Sequence, residues 1–113
     1  MHEVSIMESV IKIVLENAEE NNIKKVSKVT LKIGELSGVM SDALNFAFSC
    51  LSKDTITEGA EFIIEKVEAI AICDECNIEF KIDHFNKLCP NCKKFSSHII
   101  SGYELYVNTI EGD

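Results

Sequence analysis

Four of the five cysteines in this chain fall into one pattern, Cys73-x2-Cys76-x12-Cys89-x2-Cys92. Two C-x-x-C turns about a dozen residues apart each aim a pair of sulfurs at one centre, and four thiolates at tetrahedral corners are what a structural zinc ion requires. The same residues also allow two reduced dithiols or a pair of disulfides, although a redox C-x-x-C ordinarily stands alone beside a β-α-β pattern. Zinc held by four cysteines has no open position for a substrate, so the quartet suggests architecture more than catalysis.

At 113 residues the chain is about one domain long, with room for a metal module that needs little core of its own. Hydrophobic residues at 46% and charged residues at 27% exclude a disordered chain. The formal net charge of −8 opposes binding to a phosphate backbone, where Lys and Arg must displace counterions. Lys93 and Lys94 are basic, but Asp74, Glu75, Glu79 and Asp83 lie in the same module and arginine is absent. Acidic character suits cation handling or a basic protein partner; no nucleic acid is expected, and a zinc-ribbon protein-interaction or nucleic-acid-binding module is the alternative, weaker reading. Glu3, Glu8, Lys12 and Glu16 interrupt every early apolar run before a signal peptide could form. Ala69 to Cys73 is too short to span a bilayer. Thiols kept for zinc need a reducing compartment, so the expected location is the cytoplasm. Cys50, in an apolar helical pattern, is expected as a small buried residue.

Val4, Met7, Ile11, Val14 and Ala18 recur at helical spacing, widened by Val10 and Leu15. Ser5 and Glu8 have capping-box spacing, which predicts a helix starting near Ser5 with Met1 to Val4 outside it. Val26 to Leu36 alternates as a strand, and Gly34 and Gly38 bracket a turn. A second helix is expected from Ser41 as N-cap, burying Ala43, Leu44, Ala47, Phe48 and Leu51. Ala60 to Ile72 reads as a strand with a bulge or twist at Glu65-Lys66, Ile78 to Ile82 as a short strand, and Tyr103 to Ile110 as a last strand. Pro90, the only proline, sits inside the second C-x-x-C turn.

The expected fold is α+β: a small three-stranded mixed sheet with two helices on one face, plus an inserted zinc-ribbon-like module. Residues 1–72 and 102–113 form the α/β core. Residues 73–101 form the module, anchored at both ends by strands. A β-α-β unit makes the first two strands parallel if they are adjacent.

No catalytic constellation is present: no phosphate-cradling glycine loop, no G-x-S-x-G, no H-E-x-x-H. His84 and His98 flank the second cysteine pair as candidate neighbours of the metal or as surface histidines. Met1-His2-Glu3 places an α-amine, amides, an imidazole and a carboxylate within three residues. Amine, amide and imidazole nitrogens in one plane suit Ni(II) or Cu(II). A histidine at position 2 is also an ordinary accident of a solvated terminus.

Taken in order, Met1-His2-Glu3, the α-β-α-β core, Gly34-Glu35-Leu36-Ser37, Glu58-Gly59-Ala60, Cys73-x-x-Cys76 and Cys89-Pro90-x-Cys92 resemble the HypA/HybF hydrogenase nickel-insertion proteins nearly end to end. Met40 stands just before Ser41 where relatives often carry proline. The resemblance implies a nickel metallochaperone rather than an enzyme. Its partners would be a HypB-type GTPase and the large subunit of nickel-iron hydrogenase, with urease maturation a further target in some organisms. His2 would then be the essential nickel ligand, with the Met1 amine and Glu3 beside it, and Cys73, Cys76, Cys89 and Cys92 would hold zinc. Nickel is cargo and zinc is structural. Monomer and homodimer both remain open.

Overall fold

The structure is a computed structural model, and residues 2–113 are described. The elements run α1 (Glu3–Glu20), β1 (Val26–Gly34), α2 (Ser41–Leu51), β2 (Glu61–Val67), β3 (Ile70–Ile72), β4 (Glu79–Lys81), β5 (Ile99–Ser101) and β6 (Leu105–Gly112). They form two three-stranded sheets, ordered β2-β1-β6 and β4-β3-β5. The chain divides into two compact units: residues 1–32, 39–65 and 106–113, and residues 33–38 with 66–105.

In the first unit α1 buries Met7, Val10, Ile11, Val14 and Ala18, the helical stripe of the sequence, while Val4 stays exposed. The helix starts at Glu3, so the Ser5–Glu8 capping box is not used. His2 is the N-cap, its carbonyl accepting from Ile6 N at 3.0 Å. Helix α2 is capped by Met40, not Ser41, and buries Leu44, Ala47 and Phe48. Phe48 stacks on Phe62 of β2 with ring centroids 4.7 Å apart, which fastens the helix to the sheet. Cys50 lies on the exposed face of α2, as does Phe46, because the buried stripe turns away from both.

The sheet is mixed. Lys25 and Asp113 exchange both backbone hydrogen bonds at the start of β1 and the end of β6, and Gly34 N donates to Glu104 O at the opposite ends. Those strands are antiparallel. Val26 N reaches Ile56 O just before β2, and Glu35 N reaches Val67 O at its end, so β1 and β2 are parallel, with α2 as the crossover.

The expected strand from Ala60 to Ile72 is two strands in different sheets, broken at Glu68-Ala69. β2 runs unbroken through Glu65-Lys66, and the register irregularity lies at Ile70/Ala71 between β3 and β5. The second unit takes in more than the expected module. It gains Ile33–Gly38 and begins at Lys66, because Leu36 belongs to the same small core as Ala69, Ala71, Cys73, Phe80, Ile82 and Cys89. Leu36 N donates to Gly102 O at 2.7 Å, and the Glu35 carboxylate accepts from Ala69 N at 2.8 Å.

Glycine is required at position 34, since a Cβ there would fall inside the Gly102 peptide group. Gly59, at φ +80, has nothing within 4 Å of such a Cβ. Gly34→Ala is therefore expected to cost roughly 3 kcal/mol or more by forcing backbone from backbone, and Gly59→Ala only about 1–2 kcal/mol of left-handed strain. Denaturant midpoints of the two variants decide it: equal losses would show that the close approach does not constrain the fold.

Candidate metal centre

The four cysteines converge because the chain makes the same turn twice. Cys73 N donates to Ile78 O at 2.9 Å and Asn77 N to Cys73 O at 2.7 Å. In the second turn Cys89 N donates to Lys94 O at 2.9 Å and Lys93 N to Cys89 O at 2.8 Å. The residue after each second cysteine is left-handed, Asn77 at φ 61 and Lys93 at φ 65. This reversal folds each C-x-x-C around its own backbone. It brings one sulfur from a buried position, Cys73 or Cys89, beside one from a half-buried position, Cys76 or Cys92.

All four sulfurs lie within 4.8 Å of one another, with Cys73 and Cys92 Sγ 3.6 Å apart. A tetrahedral ion with metal–sulfur bonds of about 2.3 Å requires sulfurs about 3.8 Å apart, so the donor set fits a thiophilic divalent ion. The cysteines are free thiols rather than disulfides. Among the described residues no other group of three or more His, Cys, Asp or Glu side chains comes together in this way.

Hydrogen-bond donors reach the sulfurs from the neighbouring backbone and side chains. Cys76 N donates to Cys73 Sγ at 3.4 Å and Asn91 Nδ2 to Cys76 Sγ at 3.2 Å. The amide of Cys92 holds the Cys89 thiol down to about 7; burial opposes this, while the Asn91 amide and the neighbouring thiols add to the lowering. Cys92 moves the other way. The Lys94 amide pulls it down, but burial and hydrogen bonding with the Cys73, Cys76 and Cys89 sulfurs push it up to about 12. One charge forms readily in this cluster and the next is resisted until a cation arrives.

His98 does not join the sulfurs: its Nδ1 lies 3.3 Å from Asp74 Oδ1. His84 sits on an exposed loop, its carbonyl accepting from Lys87 Nζ at 3.4 Å. Nearby, Lys94 pairs with Glu75 at 2.8 Å, and Ser96 Oγ donates to Ile72 O at 2.6 Å, tying the second turn to β3.

At the other candidate site Met1 lies outside the described residues. His2 is exposed, and Glu3 is half-buried with its Oε2 accepting from Met40 N at 3.1 Å. That hydrogen bond, followed by the one from its own amide, lowers the Glu3 carboxyl below its usual range. Nothing in the sequence spacing marks the Glu3–Met40 contact. The asparagine after Cys76 does hint at the first left-handed residue, because asparagine tolerates that conformation better than most residues.

A family model described as hydrogenase/urease nickel incorporation, metallochaperone, hypA, matches residues 1–112. The chain belongs to the HypA family. The hydrogenase maturation factor HypA of Chlorobaculum parvum is 44% identical over 110 residues, spanning 97% of each chain. That of Aquifex aeolicus is 39% identical over 112 residues, spanning 98% of this chain and 96% of its own. The solution structure of the Ni metallochaperone HypA from Helicobacter pylori superposes with a TM-score of 0.69 at 25% identity, covering 99% of this chain and 97% of the other. HypA proteins are maturation factors rather than enzymes, which agrees with the lack of a catalytic motif. Among the described residues no helix is long and apolar enough to cross a membrane.

Protons compete with the ion for these sulfurs. In the metal-free chain Cys89, ionising at about 7 instead of its ordinary 9.0, contributes stability that is present above pH 9 and lost as pH falls through about 7. Binding of Zn(II) or Cd(II) is accordingly expected to displace one more proton below pH 7 than above it. A log-affinity plot should steepen by about one decade per pH unit there. A slope that stays constant from pH 8 to pH 6 would remove Cys89 from that role.

Proposed function

We propose that this protein carries Ni(II) on Met1, His2 and Glu3. With a HypB-type GTPase it would hand the ion to the large subunit of nickel-iron hydrogenase, or to urease maturation, in the reducing cytoplasm. The four cysteines hold Zn(II) as a structural ion; a tetrahedral all-sulfur set suits zinc, and its closed coordination suits retention over delivery.

The observation that carries this proposal is the position of His2 as the exposed N-cap of α1. The first amides of a helix have no acceptor within it. The amides of His2 and Glu3 can therefore lose their protons to solvent and coordinate a tetragonal nickel ion through nitrogen without breaking an i→i−4 hydrogen bond of α1. The imidazole and the chain's amine complete a nitrogen-rich plane. Glu3 is anchored to Met40 N through its carboxylate, which fixes a negative charge at the start of α1 beside the proposed ion. An exposed site of this kind releases its ion by stepwise ligand exchange, as a carrier must.

The two metals should separate cleanly by mutation. In isothermal titration of the untagged, zinc-loaded chain, His2→Ala is expected to lose at least a hundredfold in Ni(II) affinity while keeping its zinc. Wild-type nickel affinity in His2→Ala would overturn the assignment. Cys76→Ser should lose zinc and destabilise the second unit with the nickel ligands left in place. If this variant keeps both its zinc and its stability, the cysteines do not hold a structural ion.

A further inference from the structure

From His84 to Tyr103 the chain has no Asp or Glu and three lysines, Lys87, Lys93 and Lys94. The rest of the molecule therefore carries a net −11, the −8 of the whole chain less these three positive charges. The same stretch holds Phe85, Leu88, Phe95, Ile100 and Tyr103, all large, apolar and exposed, with Phe85 98% accessible. Positive charge and apolar surface are thus concentrated together in one segment of an acidic protein.

At its centre Leu88 and Phe95 stand opposite each other in an antiparallel bridge, flanked by the Ser96 N to Lys87 O and Cys89 N to Lys94 O hydrogen bonds. Their side chains share one face, since directly opposed residues point the same way and their sequence neighbours the other. Cys89 and Ser96 are buried on the inner face, so Leu88 and Phe95 point outward, 50% and 67% exposed. Beside them is an open concavity of about 340 Å³ bounded by Leu88, Pro90, Phe80, Lys81 and Lys93. Lys81 is paired with Glu68 and Lys94 with Glu75. Lys87 donates to the His84 carbonyl and its charge acts on the neighbouring Asp83 carboxylate, whereas Lys93 donates to the Pro90 carbonyl and has no carboxylate partner among the described residues.

We propose that this face docks an acidic segment of a partner protein in which carboxylates alternate with apolar side chains. The apolar groups would cover Leu88 and Phe95 and enter the concavity, and a carboxylate would meet Lys93 at its rim. Lysines interleaved with aromatics also suit single-stranded nucleic acid. The decision between the two rests on the remaining −11. A polyanion extending beyond three lysines meets repulsion, whereas a short acidic segment confines its charge to this face. The inference does not depend on the nickel ligands.

The test uses the full zinc-loaded chain and three fluorescent probes: a dodecapeptide alternating Glu with Leu and Phe, the same peptide with Lys for Glu, and oligothymidine. The acidic peptide is expected to bind, more weakly as salt rises, and the basic peptide not to bind. Lys93→Asn removes the charge with a residue that accepts the same left-handed backbone, as Asn77 does in the first turn. It and Phe95→Ser should each lower peptide affinity at least tenfold at unchanged zinc content. Phe46→Ser, on α2, should leave it unchanged. Undiminished binding in Lys93→Asn overturns the proposal, as does oligothymidine binding at least as tightly as the acidic peptide. Self-association that only Phe95→Ser abolishes would assign the face to a second copy of this chain instead.

Discussion

Four sulfurs within 4.8 Å of each other are a problem of like charge before they are a binding site. As thiolates they repel one another. The second unit is built around this conflict. Its buried cluster contains Cys73 and Cys89 alongside only Leu36, Ala69, Ala71, Phe80 and Ile82. So small a core buries too little apolar surface to offset the entropy of ordering its chain. A divalent ion resolves both difficulties, neutralising charge and cross-linking two turns, so binding free energy becomes folding free energy.

On the proposed function the two units would handle metal by opposite physical means. In one, buried sulfurs, paired turns and backbone amides aimed at sulfur leave an ion no way out. In the other, the proposed ligands sit at the open start of a helix whose first amides have no internal partner, with the Glu3 carboxylate as the one fixed point. Retention and release follow from burial and from the number of bonds that must break together, and they are kept apart in sequence by most of the chain.

Much of this was legible in the residues, and the gaps have specific causes. The cysteine spacing fixed the metal centre because ligand geometry leaves few alternatives, and the stripe of α1 was plain from its period. The start of α1 was misplaced because Ser5 and Glu8 satisfy a local rule, while the actual start at Glu3 frees that carboxylate for Met40, a partner distant in sequence that spacing cannot reveal. Ala60 to Ile72 read as one strand because alternation does not register a change of sheet. Leu36 joined the other unit for a related reason: Gly34 and Gly102 approach so closely that the turn following β1 is captured by the β5–β6 connection. Cys50 read as a small buried residue of a helix, though the burying stripe of α2 runs along its other side.

The Glu3–Met40 hydrogen bond also makes the N-terminus observable. Met40 is the N-cap of α2, and its amide proton is held by a carboxylate thirty-seven residues earlier in the chain. Any cation or proton that draws charge from Glu3 weakens that bond and changes the shielding of a single amide. The resonance of Met40 N–H is thus a built-in gauge of the charge at the start of α1, readable without a label on the terminus itself.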